Sequence, residues 1–459
     1  MSPQHVQPRI EEALRSRNFS AIRGLLADWV PADLADLIQR LEPEERGVLF
    51  RLLPRVPAAE TFEYLSPEYQ EDLLKALGRE HVAAILNDMS PDDRTALLEE
   101  LPASATRQLL TLLTSEERQI AKTLLGYPEE SIGRLMTPDY LAVRLAWNAQ
   151  RALEHIRKYG HDSETLNVIY VVDEQGKLLD DLRIRQLLLA SLDDGIEELC
   201  DGHFVALKAT DDQETAVAVF SEYDRVAFPV TDSEGFLLGI VTIDDVLDVA
   251  EEEATEDIQK IGGMEALDEP YLRAGFGEMV RKRVGWLIVL FFGQMLTARA
   301  LGYFQDEIAS ALVLVLFLPL IIASGGNSGS QAATMVIRAM ALGEVTLQHW
   351  WIVMRREVLS GLTLGVIIGV IGFLSIALVA VLTDAYGASW PLIGFTVASS
   401  LVGVVLWGTL VGSMLPFVMR SVGVDPATSS TPVVATLVDV TGLVIYFSIA
   451  AVVLRGSVL

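Results

Sequence analysis

Cysteine is almost absent from this 459-residue chain. Cys200 stands alone, which excludes an intrachain disulfide and any cluster of thiolate metal ligands. Histidine is scarce as well, with six residues scattered without metal-ligand spacing. There is no phosphate loop, no His-Glu-x-x-His and no Gly-x-Ser-x-Gly, which argues against an ATP-driven pump and against common hydrolase chemistry. The chain does not read as an enzyme. Nothing between Met1 and Ala21 reads as a secretory signal, because Arg9, Glu11, Glu12, Arg15 and Arg17 interrupt any apolar run.

Acid is abundant, and it is unevenly placed. Residues 1–280 carry 55 of the 62 acidic side chains and 26 of the 35 basic ones, a net charge of -29, whereas residues 281–459 carry 7 acids and 9 bases. A front half of this kind repels nucleic acid and anionic lipid and attracts cations where its carboxylates are grouped. Its bulk acidity also serves solubility.

Residues 1–131 read as short helices in a repeat. Pro43, Pro67 and Pro91 recur 24 residues apart, each opening a charged run, while Leu41, Leu65, Met89 and Leu113 keep the same beat. Proline pre-sets the first helical turn and the acid that follows faces the positive helix end. Stacked helical repeats of this sort build a solenoid that acts as a surface or a lever. Residues 132–254 change period. Val168–Val172 and Ala227–Val230 are strand-like, and each precedes an acidic glycine turn, Asp173-Glu174-Gln175-Gly176 and Asp232-Ser233-Glu234-Gly235, 59 residues apart. This is a tandem β/α module. An acidic stretch at 247–265 with no breaker before Gly262 predicts a connector helix, and the connecting segment is expected to occupy 255–280.

From 281 to 459 the composition suits lipid. Five spans are expected at about 285–305, 308–338, 357–382, 390–419 and 432–454, each long enough at 1.5 Å per residue to cross roughly 30 Å of hydrocarbon. The second and fourth exceed that need, so a tilt, a break or an extension is expected there. Arg281, Lys282, Arg283, Arg338, Arg355, Arg356 and Arg420 fall on one side and only Arg299 and Arg455 on the other. That bias puts the N-terminal half in the cytoplasm and the C-terminus outside.

Three features could carry chemistry. Asp439 lies in an apolar span without a basic partner, and an ionised carboxylate facing lipid costs several kcal/mol, so a water-filled path or a cation is expected beside it. The alternative is a structural aspartate hydrogen-bonded at a helix contact, with Thr441 as the candidate partner. Thr431, Ala435 and Asp439 are spaced by four and share a helix face. The second feature is Gly325-Gly326-Asn327-Ser328-Gly329-Ser330-Gln331, whose Asn327 and Gln331 offer oxygens one turn apart, although small residues also serve helix packing. Polar and acidic lining without a buried cation selects cations. The third is the carboxylate cluster near the connector: Asp224, Asp244, Asp245, Asp248, Glu251, Glu252, Glu253, Glu256 and Asp257. Like charges this dense oppose folding unless a divalent ion screens them, which describes a metal-sensitive hinge; a solvated acidic helix is the alternative.

These residues resemble the MgtE family of magnesium transporters over nearly the whole chain. The resemblance is carried by Pro319 with Gly325–Gln331, by Leu415-Pro416-Phe417 with Gly423-Val424-Asp425-Pro426, and by Pro432-Val433-Val434-Ala435-Thr436 with Asp439-Val440-Thr441-Gly442. It implies a multidomain α-helical membrane protein: a cytosolic helical-repeat domain and a tandem α/β pair of cystathionine-β-synthase-type (CBS) modules attached to a five-helix transmembrane domain. It further implies a homodimer whose central pore, lined by the second and fifth membrane helices, passes Mg²⁺ and is closed by cytosolic Mg²⁺. On that resemblance the Asp439 carboxylate and the Ala435 carbonyl hold the hydrated ion, and Asp212, Glu214, Asp224, Asp245, Asp248, Glu253, Glu256 and Asp257 are the cytosolic sensor carboxylates.

The chain departs from the family pattern twice. Thr431 stands where the family has asparagine before the fifth-helix proline. The first CBS copy has Asp180-Asp181 and Arg183-Ile184-Arg185-Gln186 where the second has Gly239-Ile240 and Thr242-Ile243-Asp244-Asp245. Only the second copy keeps the Thr-x-x-Asp ribose contact, so the resemblance carries an ATP contact at Asp245 alone. Transport of Co²⁺, Mn²⁺ or Zn²⁺ is the competing reading, but such ions recruit histidine or cysteine, and the five expected spans contain neither. A non-transporting membrane receptor or scaffold is the other, and Asp439 and Asn327 speak against it.

Overall fold

The computed structural model describes residues 3–16, 18–26, 29–267, 271, 274–310, 312–383, 386–428 and 431–455. Two compact units are present, Met1–Ala250 and Glu251–Leu459.

The first unit opens with the helical repeat. Helices Pro43–Phe50, Pro67–Ala76 and Pro91–Glu100 each begin on the expected proline, after an extended residue and with acids in the first turn. Leu41, Leu65, Met89 and Leu113 are all buried in one continuous core. A second member of the 24-residue beat emerges here. Arg46 donates to Leu41 O, Gln70 to Phe62 O, Arg94 to Leu86 O and Met89 O, and Arg118 to Leu110 O and Leu113 O. Each of these side chains donates to carbonyls at the end of the preceding helix, where intrahelical donors run out, so the repeat is stitched from one helix to the next.

The β/α tandem follows as two three-stranded sheets of the same design. In the first, β1 (Ala142–Arg144) pairs parallel to β2 (Val168–Val172), which pairs antiparallel to β3 (Leu178–Arg183). In the second, β4 (Leu207–Lys208), β5 (Ala227–Thr231) and β6 (Leu237–Thr242) repeat this order. The two acidic turns are equivalent in detail. Asp173 Oδ1 accepts from the Gln175 and Lys177 amides, Asp232 Oδ1 from those of Glu234 and Phe236, and Gly176 and Gly235 adopt φ of +96° and +88°. The hairpins also join each other, Leu178 N donating to Gly235 O and Leu237 N to Gly176 O. Gly239 and Asp180 differ for a reason: a Cβ at Gly239 would sit 2.6 Å from Thr137 O, which pairs with β6 there. Asp180 instead is buried and accepts from the Gly202 amide.

Helix Ile243–Ile261 runs unbroken through residue 254, so the connector expected at 255–280 begins as a continuation of the helix that follows β6. The next described helix starts at Phe276; residues 268–270 and 272–273 lie outside the described residues.

Among the described residues the second unit has five helical segments of membrane length: Phe276–Tyr303, Leu312–Ala341, Leu347–Thr383, Gly387–Ser421 and Thr431–Val453. They match the five expected spans in order, and all but the second start earlier than expected, the third by about ten residues. That extension brings His349 into the third segment. The His349 ring accepts the Thr346 amide at 3.1 Å, so it caps a turn. The break expected in the second segment is present, as a 3-10 turn over Leu312–Phe317 gives way to α-helix at Leu318 with Pro319 in its first turn. The second and fourth helices touch backbone to backbone. A Cβ on Gly408 or Gly412 would run into Gly325 O or Gly329 O, and one on Gly329 would lie 2.8 Å from Gly408 O. Half of the glycine-rich stretch is therefore a packing surface of the small-x-x-x-small kind.

Candidate functional site

The opposite side of that stretch is polar and uncovered. Asn327 and Gln331 are exposed while Gly325, Gly326, Ser328 and Gly329 are buried. The second helix lies antiparallel against the fifth. Gly326 faces Ala435, with 3.7 Å from a Cβ position to Ala435 Cβ, and Ser330 Oγ approaches Thr431 O at 3.5 Å. Val434, Val438 and Gly442 fill the buried face of the fifth helix, leaving Thr431, Ala435 and Asp439 half-buried together beside the seam. The expected grouping of Thr431, Ala435 and Asp439 on one face is what the helix presents.

Sequence reasoning missed the partner of Asp439. Thr441 is engaged elsewhere, accepting from Trp407 Nε1 at 2.8 Å and donating to Leu437 O. Gln294 of the first membrane helix instead donates from Nε2 to Asp439 Oδ2 at 2.7 Å. Gly293 makes the approach possible, since a Cβ there would stand 2.6 Å from Thr436 Cγ2. The signal that could have exposed Gln294 is the same one that exposed Asp439, a polar side chain at mid-span among Phe291, Phe292, Met295 and Leu296.

The first unit holds a second polar constellation. Asp92 and Asp93 from the first turn of Pro91–Glu100, Glu164 from the loop before β2, and Asp244, Asp245 and Asp248 from the start of Ile243–Ile261 repel one another at short range. Burial and this repulsion push the Asp245 carboxyl up to about 7 and Asp92 well above the usual carboxylate range. Asp245 Oδ2 accepts from Thr242 Oγ1 at 2.5 Å. Asp92 Oδ1 is enclosed and has no partner. The neighbouring Arg94 is fully buried and committed to Glu117 and to backbone carbonyls. Nearby Glu63, which accepts from the Ser90 amide, is raised to about 7, chiefly by burial. Of this group the sequence reading singled out Asp244, Asp245 and Asp248; Asp92, Asp93 and Glu164 were missed because their proximity depends on tertiary packing.

The other expected sensor carboxylates are dispersed. Asp212 caps the N-terminus of helix Gln213–Tyr223 by accepting from the Glu214 amide, while Asp224 ends it in the left-handed conformation at φ 50°, roughly 18 Å away by helical rise. Glu253, Glu256 and Asp257 sit further along Ile243–Ile261. Glu256 and Asp425 share Lys260, whose Nζ lies 2.5 Å from the first and 2.8 Å from the second. Among the described residues no three Asp, Glu, His or Cys side chains are placed to hold a metal ion. The carboxylates are close enough to repel but not drawn into a ligand shell.

Raised carboxyl groups fix a pH dependence. Between the unfolded value near 4 and the folded value near 7, the folded state binds the extra protons, so stability is greatest below about 4 and is lost as pH rises through 7. The melting midpoint of the first unit, followed in the full chain in detergent without divalent ions, should therefore rise between pH 8 and pH 5.5, by roughly 2–4 °C for each kcal/mol recovered. Asp92→Asn should raise the midpoint at pH 8 and shrink that pH response. A flat profile would mean that the cluster is solvated.

Known proteins share this organisation. The family described as MgtE, divalent cation transporter, matches residues 318–449; the MgtE intracellular N domain matches 29–130 and the CBS domain 196–252. The magnesium transporter MgtE of Thermus thermophilus is 40% identical over 451 residues, covering 97% of this chain and 98% of that one. The magnesium transporter MgtE of Bacillus subtilis is 29% identical over 438 residues, covering 93% and 95%. A crystal structure of the cytosolic domain of the Mg²⁺ channel MgtE in complex with ATP covers 53% of this chain and 99% of its own, at 36% identity and a TM-score of 0.51.

Proposed function

Because this chain belongs to the MgtE family of magnesium transporters, we propose that it conducts Mg²⁺ passively into the cell through a path lined by the second and fifth membrane helices. It is a multi-pass membrane protein and a transporter rather than a catalyst. The observation that carries the proposal is Asp439, a carboxylate at mid-span that accepts a hydrogen bond from the neutral amide of Gln294. It shares a half-buried face with Ala435 and Thr431, beside a neighbouring helix that exposes Asn327 and Gln331. A hydrated divalent ion meets one full charge and several neutral oxygens there. That suits Mg²⁺, which gives up water reluctantly. An interior potential near -100 mV is worth about 2.3 kcal/mol per elementary charge, so entry needs no coupled fuel.

In this reading two copies form a homodimer in lipid, the uncovered faces of the pore helices meet across its axis, residues 1–280 are cytoplasmic and the C-terminus is outside. The domain limits follow the sequence: repeat domain 1–131, CBS pair 132–254, connector 255–280 and pore domain 281–459. Cytosolic Mg²⁺ closes the path by screening the acidic CBS, repeat-domain and connector carboxylates, with Asp92, Asp93 and Glu164 joining Asp245 and Asp248. A relative crystallised with ATP supports a nucleotide contact in the second CBS copy, at Thr242 and Asp245. Liposomes holding the purified chain should admit Mg²⁺ in preference to Co²⁺ and Mn²⁺ and exclude Na⁺. Preference for Co²⁺ or Mn²⁺ would replace the substrate, and no cation flux would leave a membrane receptor or scaffold.

A further inference from the structure

The amide of Gln294 costs something to keep where it is. It stands at mid-span on a helix that buries no side chain fully, among Phe291, Phe292, Met295 and Leu296. In hydrocarbon an unpaired amide loses several kcal/mol, so its bond to Asp439 is what makes the position tolerable. That bond uses Oδ2, at 2.7 Å. It is charge-assisted, and the close helix approach at Gly293 and Thr436 holds its geometry. Thr297, one turn further along the same face, has an enclosed Oγ1 without a partner, so this side of the first helix is built for a polar contact.

We infer that Gln294 is a specificity-determining residue: by occupying Asp439 Oδ2 it leaves the permeant ion a single free carboxylate oxygen, Oδ1, and so discriminates against Ca²⁺. The inference rests on the reading that Asp439 meets the permeant ion. Ca²⁺ takes 6–8 oxygens at flexible geometry and readily clasps a carboxylate through both oxygens, whereas Mg²⁺ keeps an octahedral shell and several waters and needs only one. An amide proton held on Oδ2 competes with the bidentate clasp and leaves the single-oxygen contact intact. The first membrane helix, which contributes no other candidate to the path, thereby sets selectivity from outside the second and fifth helices.

The test is ion flux into liposomes carrying the full-length chain, with Mg²⁺ and Ca²⁺ measured separately for the parent, Gln294→Met, Gln294→Ala and Asp439→Ala. Gln294→Met keeps side-chain length and removes the donor. It should retain Mg²⁺ flux while the Ca²⁺ to Mg²⁺ ratio rises about tenfold or more, the fold-change carried by one hydrogen bond to a charged group. Gln294→Ala should shift the ratio the same way. An unchanged ratio overturns the inference, whether the two fluxes persist or fall in parallel, since a packing role alone lowers both equally. Failure of both Gln294 variants to insert and fold would make the residue a packing element and overturn it as well. Failure of the underlying reading is separate, because it would show as undiminished Mg²⁺ flux in Asp439→Ala.

Discussion

Replacing Asp439 with Ala should lower Mg²⁺ flux by about 100-fold or more, the scale of a lost interaction with a full charge in a poorly solvated site, while leaving an inserted and folded protein. Val434, Val438 and Gly442 make the buried contacts of the fifth helix, and Asp439 lies on the other side with Thr431 and Ala435. Its hydrogen bond from Gln294 is lost with it. Asn at 439 should fall between the parent and Ala, because it keeps an oxygen for a coordinated water but not the charge. Unchanged Mg²⁺ flux from a properly inserted alanine variant would remove Asp439 from the path.

The second large effect concerns closure. Substituting Asp245, Asp248, Glu253, Glu256 and Asp257 together with Asn or Gln should abolish inhibition by cytosolic Mg²⁺, leaving open probability flat from micromolar to ~20 mM. If Mg²⁺ shifts the compact arrangement from about 1:99 to 99:1, the bound ions must supply roughly 5.5 kcal/mol of differential binding. Several weak sites, each preferring the closed form by ~1 kcal/mol or more, reach that sum jointly and make closure steep. The structure supplies a source for the repulsion they relieve: Asp245 and Asp248 face Asp92, Asp93 and Glu164, with Arg94 turned away onto Glu117. An inhibition curve with the parent's midpoint and steepness would make these five residues a solvated acidic surface.

Most of the architecture was legible because it is periodic. Proline at 43, 67 and 91 marked helix starts that the structure keeps to the residue, and the paired acidic glycine turns marked two sheets of one topology. The five apolar runs were counted correctly, but their starts were misplaced where aromatic and basic residues such as Trp350, Trp351, Arg355 and Arg356 continue a helix beyond the apolar stretch. Asp439 was legible because a lone carboxylate in a membrane span is expensive. Gln294 was not recognised, since its meaning comes from a helix 145 positions away in sequence. The carboxylate cluster was half legible: local spacing gave Asp245 and Asp248, whereas Asp92 and Glu164 join them only through packing. Arg46, Gln70, Arg94 and Arg118 were visible as residues on the 24-residue beat, but their role as caps on the preceding helix required the fold.

Passive Mg²⁺ conduction is the central claim, and it is tested most directly by Mg²⁺ entry into liposomes containing only this chain, with an imposed inside-negative potential and no nucleotide. The prediction is Mg²⁺ influx that grows with the potential, stops when the potential is collapsed without a Mg²⁺ gradient, and is lost with Asp439→Ala. No Mg²⁺ entry at any potential, or entry only when ATP or a proton gradient is supplied, would contradict it.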